Sequence, residues 1–171
     1  MSPIQVAILS ALFVAAVATA ADWVWASQLL RHRWMYGIVH GAGLVGAMGV
    51  ALGAPLRRPL TGLVGGLLAG VLAAASFYML APLMRYSAMF ASWCLLWILF
   101  GYLDGVLLRG RRAPEALARG IAAALLSGVA FYAVSGMWTR WNPSAINYAD
   151  HYWRWAVAFL PGFLALRVGV K

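Results

Sequence analysis

The sequence predicts an all-α fold: a polytopic integral membrane protein, a compact bundle of six transmembrane helices. Three observations predict it. Apolar residues make up 64% of the 171 residues and charged residues only 10%, where soluble domains carry about 45–50% and about 25%. Mean hydropathy is +0.83. Six apolar stretches follow one another at 4–24, 35–54, 60–82, 88–108, 117–138 and 151–169. The first five each reach the roughly 20 residues that cross about 30 Å of hydrocarbon as a helix. One domain spanning 1–171 accommodates them all.

The first segment opens on Met1-Ser2-Pro3-Ile4-Gln5, with no Lys or Arg, and runs through Asp22 and Trp23. An uncharged flank is atypical of an export signal, so the segment is expected to be retained as a span. The second contains Tyr36-Gly-Ile-Val-His40-Gly-Ala-Gly43, an ionisable side chain inside an apolar run. The connector Gly53-Ala-Pro-Leu-Arg-Arg-Pro59 is too short for anything but an antiparallel hairpin with the third span. The fourth holds Trp93, Cys94 and Trp97 and ends near Asp104. The fifth is followed by the longest connector, Trp138 to Asp150. There Trp138, Trp141, Tyr148, Tyr152 and Trp153 read as an aromatic belt at headgroup depth.

The sixth is the weakest. Only Trp155 to Leu166 is uncharged, Pro161 interrupts it, and Arg154 and Arg167 must snorkel from its ends. The alternative is an interfacial helix. Asp150 is expected to cap it, with His151 at an exposed helix start.

A net charge of +9 would suggest nucleic acid in a soluble protein. Here the arginines lie in connectors, where they set topology and meet lipid headgroups. An interior N-terminus puts Arg57, Arg58, Arg109, Arg111, Arg112, Arg119, Arg167 and Lys171 inside, against Arg31, Arg33, Arg85, Arg140 and Arg154 outside. The bias favours both termini in the cytoplasm of a bacterial inner membrane. Membrane lipid is the expected partner and nucleic acid is not. A lone Cys94 excludes an intrachain disulfide.

Small residues recur at four-residue spacing: Ala7, Ala11 and Ala15, then Gly37, Gly41 and Gly49, then Gly62, Gly66 and Gly70. Such stripes let helices approach closely in lipid.

Depth places the polar residues. Under that topology His40 lies about 9 Å below the outer start of its span. The outer half gathers Asp22, His40, Tyr78, Trp93, Trp97, Trp138, Asn142, Asn147, Tyr148, Asp150 and His151. Asp22, His40, Tyr78, Trp93, Trp97, Trp138, Asn147, Tyr148 and His151 are the candidate ligand-binding residues, around a pocket open to the exterior. Asp22 either pairs with Arg31 or Arg33, or holds His40 or a ligand. Asp104, beside Arg109, Arg111 and Arg112, reads as an ion pair or a local cap.

Catalytic signatures are thin. Asp104-Gly105 with Arg109 lacks the extra carboxylates of a CDP-alcohol phosphotransferase. The histidines lack the spacing of a helical metal pair, only His40 reads as securely buried for a bis-histidine haem, and there is no phosphate loop. No cofactor is named, and no metal is expected. Trp141-Asn-Pro143 does not reproduce the Trp-Pro-Pro signature of the translocator/tryptophan-rich sensory family.

The span count, the inferred termini and the Ala7/Ala11/Ala15 stripe resemble the substrate-binding membrane subunits of energy-coupling-factor vitamin transporters. That resemblance implies a ligand near the exterior and a coupling subunit, or another membrane protein, seated on the alanine stripe. The leading expectation is a small-molecule-binding transport subunit with a separate energising partner. The alternatives are an accessory or assembly subunit of a larger complex, and a membrane oxidoreductase or lipid-modifying enzyme.

Overall fold

The computed structural model describes residues 1–28, 33–85, 87–134 and 147–168. Among these it is all helix: α1 (Pro3–Gln28), α2 (Arg33–Gly53), α3 (Pro59–Met84), α4 (Ser87–Tyr102), α5 (Ala113–Val134) and α6 (Tyr148–Arg167). A 3-10 turn (Ala54–Leu56) joins α2 to α3, and α4 continues into a π-helical turn (Leu103–Leu108). Each helix packs on its neighbours in sequence, and α6 closes the ring onto α1.

Five stretches are long and apolar enough to cross a membrane: Pro3–Val24, Gly37–Leu56, Pro59–Met84, Ser87–Leu108 and Ala113–Val134. The last expected crossing forms a 20-residue helix but is not among them. It begins at Tyr148, ahead of the expected 151, and carries Asp150, His151, Arg154 and Arg167. Burial in protein compensates for its polarity. Trp155, Ala158, Phe159, Phe163 and Leu166 are each at most 2% exposed, and His151 and Arg167 are 4% exposed, so one face of α6 is packed into the bundle with two of its ionisable side chains.

The outer surface is apolar to a degree that soluble monomers rarely show. On α3 alone, Leu60, Val64, Leu68, Leu72, Met79 and Leu83 are between 55% and 83% exposed. The ionisable side chains Asp22, Asp104, His151 and Arg167 are at most 4% exposed. Polar groups inside and hydrocarbon outside is the arrangement that lipid selects.

The α2/α3 hairpin is antiparallel, with Gly49 backed on Gly62, Val45 on Gly66 and Ala42 on Gly70. A methyl group added at either Gly49 or Gly62 would overlap the other's carbonyl, so this pair sets how closely the two backbones approach. Pro59 opens α3 at a position where no amide donor is needed. Arg57 turns the corner at φ 57°, and Arg58 reaches across to the carbonyls of Leu107 and Leu108 at 3.3 and 3.5 Å, covering acceptors at the end of the π-turn. Gly101 against Gly120, with Gly105 against Ala116, makes the equivalent close crossing of α4 and α5.

The alanine stripe of the first helix is inside the chain. Ala7, Ala11, Ala15 and Ala18 are 0–2% exposed, on a helix whose principal neighbour is α6.

Candidate functional site

Asp22, one turn and a half before the end of α1, is 4% exposed and receives side chains from two other helices. From α6, His151 Nε2 lies 2.7 Å from Asp22 Oδ2, and the Trp155 indole N–H donates to the same oxygen at 2.9 Å. From α2, His40 Nε2 lies 3.6 Å from Asp22 Oδ1. An indole N–H can only donate. The same indole N–H lies 3.2 Å from His151 Nε2, so Asp22, His151 and Trp155 form one closed triangle. Charge-assisted bonds of this kind compensate for removing a carboxylate from water.

The helix start explains how His151 gets there. Asn147, not Asp150, is the N-cap: its side-chain oxygen accepts from the amides of Ala149 and Asp150 at 3.1 and 3.3 Å. Asp150 instead takes Arg154 at 2.6 Å on the exposed face. The expected exposed start is corrected accordingly, because a cap at 147 puts His151 on the same face as Trp155, one turn on. His151 is 4% exposed.

Beside this cluster lies a cavity of about 440 Å³ to which all six helices contribute. Asp22 comes from α1, His40, Gly41 and Leu44 from α2, Ala73, Ala74, Phe77 and Tyr78 from α3, Met89, Ser92 and Trp93 from α4, Phe131 from α5, and Trp155 from α6. Its volume is in the range of small-molecule sites, about 300–1,000 Å³. Most contributors lie toward the end of the bundle where α1, α3 and α5 finish and α2, α4 and α6 begin, with Leu44, Val45 and Gly70 near mid-helix. The indole of Trp93 stacks on Phe131 at 4.5 Å and on Phe159 at 5.3 Å, and Trp155 stacks on Phe159 at 5.3 Å. Trp93 is also tethered: its N–H donates to Ser127 at 3.0 Å, and Ser127 donates to the Ala158 carbonyl at 2.6 Å.

Asp22, His40, Tyr78 and Trp93 are thus brought together around one cavity, and His151 buttresses it from behind. Trp97 is elsewhere. It is fully buried one turn deeper, packed on Phe100, Phe159 and Phe163, with its indole over Gly162. Asn147 is occupied as a cap, and Tyr148 sits edge-on to His151 at 6.4 Å without reaching the cavity wall. Trp138, Trp141, Asn142 and Arg31 lie outside the described residues.

Sequence reasoning missed Ser92, Phe77, Phe131 and Trp155. The readable signal for Trp155 was its spacing of one helical turn from His151. Among the described residues no group of three His, Cys, Asp or Glu side chains is arranged to hold a metal ion.

A second polar cluster occupies the opposite end. Asp104, 1% exposed, accepts from Arg109 Nε at 3.0 Å. Its other oxygen faces Arg167 Nη1 at 3.8 Å, and Arg167 donates to the Leu52 carbonyl at 2.8 Å. The expected ion pair with the connector arginines is therefore present, with Arg167 of α6 as an additional member. Glu115 gathers Arg111 and Arg119 nearby. Burial, then the charges of Arg119 and Arg109, hold the Arg111 guanidinium below its ordinary range.

No protein-family model matches the chain, and neither a curated protein nor a solved structure matches it. The functional reading therefore rests on the cavity and its chemistry.

Proposed function

We propose that the protein is a small-molecule-binding membrane transport subunit, with α6 as its sixth crossing and the cavity opening to the exterior. The observation that carries this reading is the cavity of about 440 Å³ walled by all six helices, with the Asp22 cluster at its edge. Apolar walls with a few directed polar groups are the composition of ligand sites, and an ionisable group held inside a membrane bundle marks function more often than packing. The arginine bias toward the opposite end supports an outward-facing cavity and cytoplasmic termini. The sequence has no phosphate-binding loop, so the energy for movement would come from a partner or an ion gradient.

Gentle purification, followed by mass spectrometry of every retained small molecule and protein, tests the reading. Wild-type protein should retain one molecule in stoichiometric amount. Ala74→Phe, which fills the cavity, should lose it, and Met79→Ala on the exposed face should keep it. Stoichiometric protein partners with no retained molecule would replace this reading with that of an assembly subunit.

A further inference from the structure

Among the described residues, the side chains around the cavity include one carboxylate, Asp22, and no Lys or Arg. An anion placed there would meet the Asp22 carboxylate across low-dielectric walls. Asp22 Oδ2 is occupied by His151 and Trp155, whereas among the described residues Oδ1 faces His40 at 3.6 Å, beyond hydrogen-bonding distance. The hydroxyls of Ser76 and Ser92 lie 2.9 Å apart, and Ser76 also bonds the Ala73 carbonyl at 2.7 Å. With the single Ser76 hydrogen on that carbonyl, Ser92 donates to Ser76 and keeps its lone pairs as acceptors. Five aromatic rings, Phe77, Tyr78, Trp93, Phe131 and Trp155, complete the wall, and aromatic faces attract a cation.

We propose that the cavity takes a monovalent organic cation: an amine on an apolar or aromatic body, its ammonium N–H donating to Asp22 Oδ1 and its body against the rings. This rests on the small-molecule reading above and narrows it to a chemical class. A carboxylate with one oxygen fixed by its own protein's donors is pre-aimed, so the ligand need not reorganise it. The volume suits a body of a ring and a short chain, and the aromatic walls give that body its contact area.

The test is a matched series of phenylethylamine, phenylethanol and phenylacetate, with the full chain in lipid nanodiscs. Equilibrium dialysis reads binding, with protein-free nanodiscs subtracted. The amine should bind saturably and roughly tenfold or more tighter than the alcohol, the scale of a charge-assisted bond, and phenylacetate should bind weakest. Ala74→Phe should abolish amine binding. Asp22→Asn, checked for native helicity, should erase the preference for amine over alcohol. The wild-type series decides the class even if that variant fails to fold. Alcohol or carboxylate binding as tightly as the amine overturns the proposal, as does amine binding that survives Ala74→Phe. If no probe binds but the purified protein retains a neutral or anionic molecule, the cation class falls and the small-molecule reading stands. If nothing binds and nothing is retained, both fall.

Discussion

Ser127→Ala isolates one hydrogen-bond relay across three helices. Ser127 is fully buried, accepting the Trp93 indole N–H at 3.0 Å and donating to the Ala158 carbonyl at 2.6 Å. The substitution removes one oxygen and leaves the packing volume almost unchanged. The Ala158 carbonyl lies mid-helix, where the main chain supplies a donor, so its loss is small. The Trp93 N–H loses the one partner the relay gives it, on a side chain only 7% exposed. A buried orphaned donor costs about 1–3 kcal/mol, and interhelical bonds in membrane proteins average about 0.6 kcal/mol with a maximum near 1.7. Burial of both partners favours the upper part of that range, about 1.5 kcal/mol. The assay is a double-mutant cycle with Trp93→Phe, unfolding in mixed micelles by detergent titration and following far-ultraviolet circular dichroism. With the indole N–H already removed, Ser127→Ala should cost about 1 kcal/mol less than in wild type. Additivity within about 0.3 kcal/mol would refute the relay, since uncoupled sites behave that way.

Three further outcomes follow from the packing. Gly49→Ala should destabilise the α2/α3 hairpin because its methyl meets the Gly62 carbonyl, whereas Gly43→Ala, with nothing within 4 Å, should stabilise by up to about 1 kcal/mol through helix propensity; thermal unfolding of the two variants checks the sign. Asp104→Asn should cost about 3–5 kcal/mol by leaving Arg109 and buried Arg167 uncompensated, whereas Glu115→Gln at the exposed pair should cost less than about 1 kcal/mol and vary with salt. Asn147→Ala should cost about 1 kcal/mol of α6 stability, read as faster amide exchange at Ala149 and Asp150.

Much of the architecture was readable because lipid enforces simple rules. The runs at Pro3–Val24 and Ser87–Leu108 have nowhere else to go, and the Gly62/Gly66/Gly70 stripe announced a close hairpin. Depth alone brought Asp22 and His40 to one level, because a helix converts residue number into height. Depth does not give azimuth, and that is where reading stopped. Trp93 and Trp97 are one turn apart on α4, yet one walls the cavity and the other fills the core beneath it. His151 turned inward because Asn147 and not Asp150 captured the first amides of α6, a competition between two good capping residues that local sequence leaves open. The π-turn at Leu103–Leu108 was invisible, since Leu-Asp-Gly-Val-Leu-Leu reads equally well as ordinary α-helix.

The low apolarity of α6 has a consequence for biogenesis. A segment carrying Asp150, His151, Arg154 and Arg167 partitions poorly from an insertion channel into bare lipid. It follows α1 to α5 along the chain, so those five helices are made before it and are available to receive it. Until it docks, Asp22 lacks His151 and Trp155, and Asp104 lacks Arg167. Both ends of the bundle are thus completed by one late event. A chain truncated before residue 148 would leave Asp22 without its two nearest donors and Asp104 with Arg109 but not Arg167, a signature that membrane quality-control proteases could read.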